Sequence, residues 1–331
     1  MIFDGHGDIW TDVTCRMTEN GERDVFRNRH LEKFKKGGVN GGIFVIWADP
    51  PYDNDPVKRS AQIVECIKQE MQDAGDILNI VREFDDFEKG SRSGRLNVVM
   101  GMEGLSQIGE DIDMIDMFYD EHDVRHAMLT WNETNALATG WPGDEDRGLT
   151  QAGRAAVKRI QDLGMVMDVS HLNDRCFRDV ISLAQAPVIA SHSNARALCS
   201  AMRNLTDDMI REIAKTGGLV GMNSLREFID DDPRRQSVER LADHALHIAE
   251  LVGTEYIGLG YDFDDYLETE ALSAFSGNTD SPSGDGISNE AEAGNLLREL
   301  RKRGFTEEDI EKVAYRNFYR VFRECWKKQR P

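Results

Sequence analysis

Short runs of apolar residues alternate along the chain with segments whose apolar positions recur every three or four residues. The β-prone runs fall at 1–4 ("MIFD"), 41–47 ("GGIFVIW"), 96–103 ("LNVVMGME") and 124–130 ("VRHAMLT"). Four more follow at 164–171 ("GMVMDVSH"), 186–192 ("APVIASH"), 217–223 ("GGLVGMN") and 256–262 ("YIGLGYD"). Several are unbroken rather than alternating, the pattern of parallel strands covered on both faces. The segments between them read as helices with recognisable ends. Asp55 precedes Pro56 as a cap and first-turn pair, and Thr150 opens a helix that Gly164 stops. Similar patterns cover 172–185, 205–218, 237–253 and 289–304, and the tail from 304 predicts two more helices, the first capped by Thr306. Strand and helix alternate over the whole length, which predicts an α/β fold. Eight such units predict a single (β/α)8 TIM-type barrel domain over 1–331, with extra C-terminal helices. A doubly wound open sheet is the alternative, because alternation alone does not show closure. The first strand is followed by no "GxGxxG", so a dinucleotide fold gains no support. The long irregular stretch at 266–288, rich in Ser, Gly and Asp, follows the last strand and reads as a functional loop or a disordered one.

Composition narrows the partners. A formal net charge of −20 disfavours nucleic acid and anionic lipid surfaces. No apolar run approaches the roughly 18 residues of a membrane span. The opening "MIFDGHGDIW" lacks the basic and long apolar regions of a signal peptide. Cys15, Cys66, Cys176, Cys199 and Cys325 are scattered without CxxC spacing. That suits a reducing compartment and argues against thiolate metal sites. A cytoplasmic protein with neither nucleic-acid nor membrane partners is expected.

A barrel of this kind gathers its chemistry at the carboxyl ends of its strands. Here the first run leads into His6 and Asp8, and others end in Glu103, His171, His192 and Asp262, with Asp264 two residues on. The i, i+2 spacing puts His6 and Asp8 on one side of an extended segment. Three imidazoles and several carboxylates in one mouth repel or compete for protons unless a cation neutralises them. Nitrogen and oxygen ligands without thiolates suit Zn²⁺ or a similar divalent ion, and Glu103 can bridge a pair. Two ions about 3.5 Å apart activate a shared water and polarise a carbonyl. Each residue alone has an ordinary reading; Asp262, for instance, can cap a loop. The case for a site is that six residues from five strands share one end. His244 and His247 lie within a helical segment and read as ordinary helix residues, while His126 falls near the start of its strand.

The motifs "DGHGD", "GMEG", "GLTQAGRAAVKRIQDLGMVMDVSH", "SHSNARALCSAMRN", "GYDFDD" and "RNFYRVF" occur in this order. Over nearly its whole length the chain therefore resembles the membrane (renal-type) dipeptidases, peptidase family M19 of the amidohydrolase superfamily. The resemblance implies a zinc-dependent (β/α)8 hydrolase cutting dipeptides, L-Xaa-D-Xaa included, by a hydroxide that bridges two metals. It implies His6 and Asp8 on one zinc, His171 and His192 on the other, and Glu103 bridging them. It makes Asp262 the acid/base that takes a proton from the water and passes it to the leaving amine. Arg203, in "SAMRN", matches the arginine that holds the substrate's free C-terminal carboxylate, a pairing guanidinium makes bidentately. Small dipeptides with that carboxylate are the implied partners, and a homodimer stays open.

One departure matters. Where many relatives carry a histidine implicated in stabilising the oxyanion, "LTWNETN" places Trp131. Trp131 and Asn132 can each donate a hydrogen bond, and both become candidate substrate-binding residues, but neither is a cation. Losing such a donor costs on the order of 2.7–4 kcal/mol of transition-state stabilisation unless another group replaces it. Two alternatives follow: a binuclear amidohydrolase acting on N-acyl amino acids, lactams or other small amides, and a non-catalytic peptide-binding or scaffold barrel.

Overall fold

Each of the eight apolar runs overlaps a parallel strand in the computed structural model, which describes residues 1–326. With one short addition the strands are β1 (Ile2–Gly7), β2 (Val39–Trp47), β3 (Leu78–Ile80), β4 (Leu96–Glu103), β5 (Val124–Met128), β6 (Val166–Asp168), β7 (Val188–Ile189), β8 (Val220–Met222) and β9 (Ile257–Leu259). Neighbours run β7-β6-β5-β4-β2-β1-β9-β8, and a parallel bridge between Ala190 and Val220 joins the two ends. The result is a nearly closed barrel of eight parallel strands, not an open sheet. Closure forces backbones together: a Cβ added to Gly221 or Gly260 would lie 1.8 or 1.7 Å from the Ser191 carbonyl oxygen. Only glycine fits there. β3 lies off the ring and pairs with the first residues of β4; three residues are too few for periodicity to announce a strand.

The caps expected at Asp55 and Thr150 are formed, and Asn173 and Thr206 add two more. Asp55, Thr150, Asn173 and Thr206 each accept a hydrogen bond from a backbone N–H three residues on, satisfying donors that a helix start leaves open. Further helices, among them Ile9–Asn20, Asp86–Arg92 and Met114–Glu121, complete the outer layer. The two tail helices, Glu307–Glu311 and Asn317–Trp326, are joined by a π-type turn at Lys312–Arg316, and Thr306 and Asp309 form a capping box at the start.

Phe318 on that tail is fully buried and packs across β1 and β9, where Gly5 and Gly258 leave room for its ring. Its ring centre lies 5.4 Å from that of Phe3. Gly5 and His6 point to opposite sides of β1, so one strand presents a site residue on one face and seats the last helix on the other. Phe318→Ala should cost about 3–5 kcal/mol of stability, read as a lower denaturant midpoint with an unchanged m-value. A loss under about 1 kcal/mol would show that this contact does little for the barrel.

The stretch 266–288 is ordered. A short helix, Thr269–Leu272, and bridges from Leu225 to Ser283 and from Ser237 to Asp285 hold it against the segments after β8. All five cysteines are free and buried. Among the described residues no helix is long and apolar enough to cross a membrane.

Candidate active site

The strand ends meet as their alternation requires. His6 lies near the end of β1, and Asp8 stands at the cap position of the helix that follows, with its backbone N–H donating to the Tyr266 hydroxyl at 3.1 Å. Glu103 ends β4. His171 and Asp262 both occupy the left-handed region, with φ of 69° and 58°. Non-glycine residues adopt this conformation at a cost, and it concentrates at functional sites. Here it turns both side chains into the mouth of the barrel.

Glu103 organises the cluster. Its Oε2 lies 3.1 Å from His6 Nε2, whereas its Oε1 lies 2.9 Å from His171 Nε2 and 4.0 Å from His192 Nε2. Asp8 Oδ2 and Asp262 Oδ1 are each 3.6 Å from His6 Nε2. The Nε2 atoms of His171 and His192 face each other at 2.8 Å. Their outer nitrogens are engaged: His171 Nδ1 with Asn132 Oδ1 at 2.9 Å, and His192 Nδ1 with Ser191 Oγ at 2.8 Å. Metal-ligating imidazoles have their outer nitrogen held in this way, which fixes the direction of the other. His6 Nε2, for all its near contacts, has no partner in hydrogen-bonding geometry, and neither has Asp8 Oδ1 or Asp264 Oδ2. Unpartnered buried nitrogen and oxygen atoms converging on one place fit a divalent cation. Two sets of candidate ligand atoms stand out, His6 with Glu103 and His192, and His6 with Asp8 and Asp262.

Charge points the same way. Burial, reinforced by Asp8 and Asp262 against the opposing pull of His6, pushes the Glu103 carboxyl up to about 8. Burial also raises Asp262, and raises Asp264 well above the usual carboxylate range. It holds His171 and His192 well below the ordinary imidazole value. For His6 burial is outweighed by Glu103, Asp8 and Asp262, which drive it well above that value. The protein alone leaves this cluster short of positive charge, which a divalent cation there would supply.

The sequence model of the membrane dipeptidases, peptidase family M19, matches residues 1–330. The chain belongs to this family. Within it, dipeptidase tcpJ of Claviceps purpurea is 28% identical over 313 residues, covering 91% of this chain and 70% of the relative. Dipeptidase ataJ of Aspergillus terreus is also 28% identical, over 98% of this chain and 84% of its own length. The structure of a Rhodobacter sphaeroides metallopeptidase liganded with a phosphinate mimic of L-Ala-D-Ala superposes with a TM-score of 0.85 at 25% identity, covering 98% of this chain and 99% of the other. As a member of the membrane dipeptidases this protein is a metal-dependent hydrolase of the dipeptidase class.

Beside the cluster lies a cavity of about 210 Å³, reached by Asp8, Glu103, His171, Arg203, Asp262 and Asp264. Arg203 is buried, with only long contacts of 3.4 Å to Ser193 Oγ and the His192 carbonyl oxygen, and its Nε has no partner. Among the described residues no carboxylate lies within ion-pair distance of it. Burial lowers its pKa only to about 10, so it remains a cation at neutral pH.

Several residues that the sequence did not single out support this family site. Asn223 donates through Nδ2 to Asp262 Oδ2 at 3.0 Å. Asp4 Oδ1 accepts from the Tyr261 N–H at 2.9 Å and ties β1 to the end of β9. His244 is no bystander on its helix: Nδ1 accepts from the Ala195 N–H and Nε2 donates to the Ile229 carbonyl, bracing the loop that carries Arg203. Trp47 and Phe275 line the cavity with Trp131. Asp4 opens the "DGHGD" motif and, like Asn223 at the end of the 217–223 run, is a polar residue closing an apolar run; the others carried no such signal.

Proposed function

We propose that the chain, as one domain over 1–331, is a two-zinc dipeptidase that cleaves dipeptides bearing a free C-terminal carboxylate, L-Xaa-D-Xaa among them. The observation that carries this reading is Glu103, whose two oxygens address different histidines, set beside a buried arginine without a counter-ion. His6 and Asp8 would hold one ion, His171 and His192 the other, and Glu103 both. When bound, such a pair polarises the scissile carbonyl and makes the attacking water more acidic.

The chain's own residues do the rest. Asn223 occupies Asp262 Oδ2 and leaves Oδ1, the oxygen turned towards His6, to take the proton from water and deliver it to the leaving amine. Arg203 pairs with the substrate carboxylate in a buried setting, where such a pair gains most. Asn132 holds the His171 ring, while Trp131 lines the substrate space. The free, buried cysteines support a cytoplasmic setting.

A substrate panel tests the proposal: dipeptides, their C-terminal amides and N-acyl amino acids, assayed with zinc-loaded protein. Dipeptides should be cleaved, and their amides about 100-fold less well in kcat/KM, the scale of losing one partner of a buried charge pair. Arg203→Met should erase that difference by lowering only the activity on free carboxylates. Turnover confined to N-acyl amino acids would replace the dipeptide reading.

A further inference from the structure

Three aromatic side chains from distant parts of the chain meet on one wall of the cavity. Trp47 ends β2 in register with Glu103, Trp131 follows β5, and Phe275 arrives from the segment after β9. The Trp47 ring centre is 5.1 Å from Trp131 and 6.2 Å from Phe275, and Trp131 and Phe275 are 6.3 Å apart with planes at 85°. Phe275 is held in place: the Glu227 carboxylate accepts from Ser276 Oγ at 3.1 Å and from the Gly277 N–H at 3.0 Å. Trp47 itself is buried, whereas Trp131 and Phe275 keep partly open faces.

The barrel order fixes where this wall stands. Around the ring β1-β2-β4-β5-β6-β7-β8-β9, strands β2 and β5 flank β4, and β8 lies across from β4. Arg203 follows β7, and its guanidinium carbon lies 5.4 Å from the ring centre of Phe228, which follows β8. The aromatic wall and the arginine therefore face each other across the Glu103 cluster. A dipeptide with its carboxylate at Arg203 and its scissile carbonyl at the cluster directs its N-terminal residue to the wall.

We infer that Trp47, Trp131 and Phe275 form the subsite for the side chain of the substrate's N-terminal residue, and that they select large apolar side chains there, aromatic ones above all. The inference rests on the dipeptidase reading with Arg203 at the carboxylate. The three rings present mainly apolar surface, with the two indole N–H groups as their polar atoms, so an apolar side chain sheds water against them and an aromatic one adds a further ring contact.

The test compares kcat/KM for L-Phe-L-Ala, L-Leu-L-Ala, L-Asp-L-Ala and L-Ala-L-Ala, with L-Ala-L-Phe as the reversed control, on zinc-loaded protein. L-Phe-L-Ala should exceed L-Ala-L-Ala by about 10- to 100-fold, the range for burying one large apolar side chain. Phe275→Ala should cut that ratio by about 10-fold, and Phe275→Leu by less. Equal rates on L-Phe-L-Ala and L-Ala-L-Ala overturn the subsite and leave the dipeptidase reading standing. A larger gain for L-Ala-L-Phe overturns its placement. A ratio unmoved in folded, metal-bearing Phe275→Ala protein also overturns it, and cleavage of none of the five overturns both readings.

Discussion

Asp262→Asn should lower kcat by about 10²–10⁴-fold, the usual weight of a positioned acid/base, with little change in KM. The amide keeps the shape of the carboxylate but cannot accept the proton. The oxygen that would carry it is identified by its neighbours: Oδ2 is taken by Asn223, and Oδ1 faces His6 at 3.6 Å. Burial raises the pKa of Asp262, which strengthens it as a base. Metal content must be read alongside the rate, because Asp262 Oδ1 also lies in a candidate ligand group with His6 and Asp8. Unchanged metal with collapsed turnover supports the acid/base role. Loss of one equivalent would make Asp262 a ligand instead, and turnover within about threefold of the native value would remove it from the chemistry.

Stripping the metal should abolish turnover and lower the melting temperature, with both restored by adding zinc. Ligand binding stabilises a fold by about 2.7 kcal/mol per site at a free concentration one hundred times Kd. The groups concerned lie on β1 and β4 and in the segments after β1, β6 and β7, so the effect spreads around the barrel. Without a cation, burial holds the Glu103 carboxyl near a pKa of about 8, so it keeps its proton at neutral pH. Uptake of metal should therefore release protons, measurable in weakly buffered solution. Glu103→Gln preserves the volume but removes the charge facing both histidine sets, and should deplete both equivalents of zinc. Retention of two equivalents by that variant, or an identical melting curve for stripped and loaded protein, would defeat the bridging assignment.

Much of this architecture was legible in the chain because burial writes itself into the residue pattern. Strands covered on both faces must be apolar throughout, and helices over them must repeat every three or four residues. The ends of those strands, at His6, Glu103, His171, His192 and Asp262, could be found because a polar residue closing an apolar run stands out. The role of Arg203 was not legible in this way; it followed from the family resemblance, and its pattern alone reads as a surface arginine. Asn132 was expected at the substrate, and its oxygen proves to face His171.

What the sequence determined by itself is the alternation of eight strand-bearing runs with helices and the set of polar groups that close those runs, all consequences of short-range periodicity. Tertiary structure alone decided which of those groups touch. It set Glu103 with one oxygen towards His6 and the other towards His171, placed Asn223 on Asp262, and gathered Trp47, Trp131 and Phe275 into one wall. These contacts join residues tens to hundreds of positions apart. No local propensity encodes them; they arise only when the strands come together as a barrel and bring β2, β5 and the segment after β9 to the same mouth.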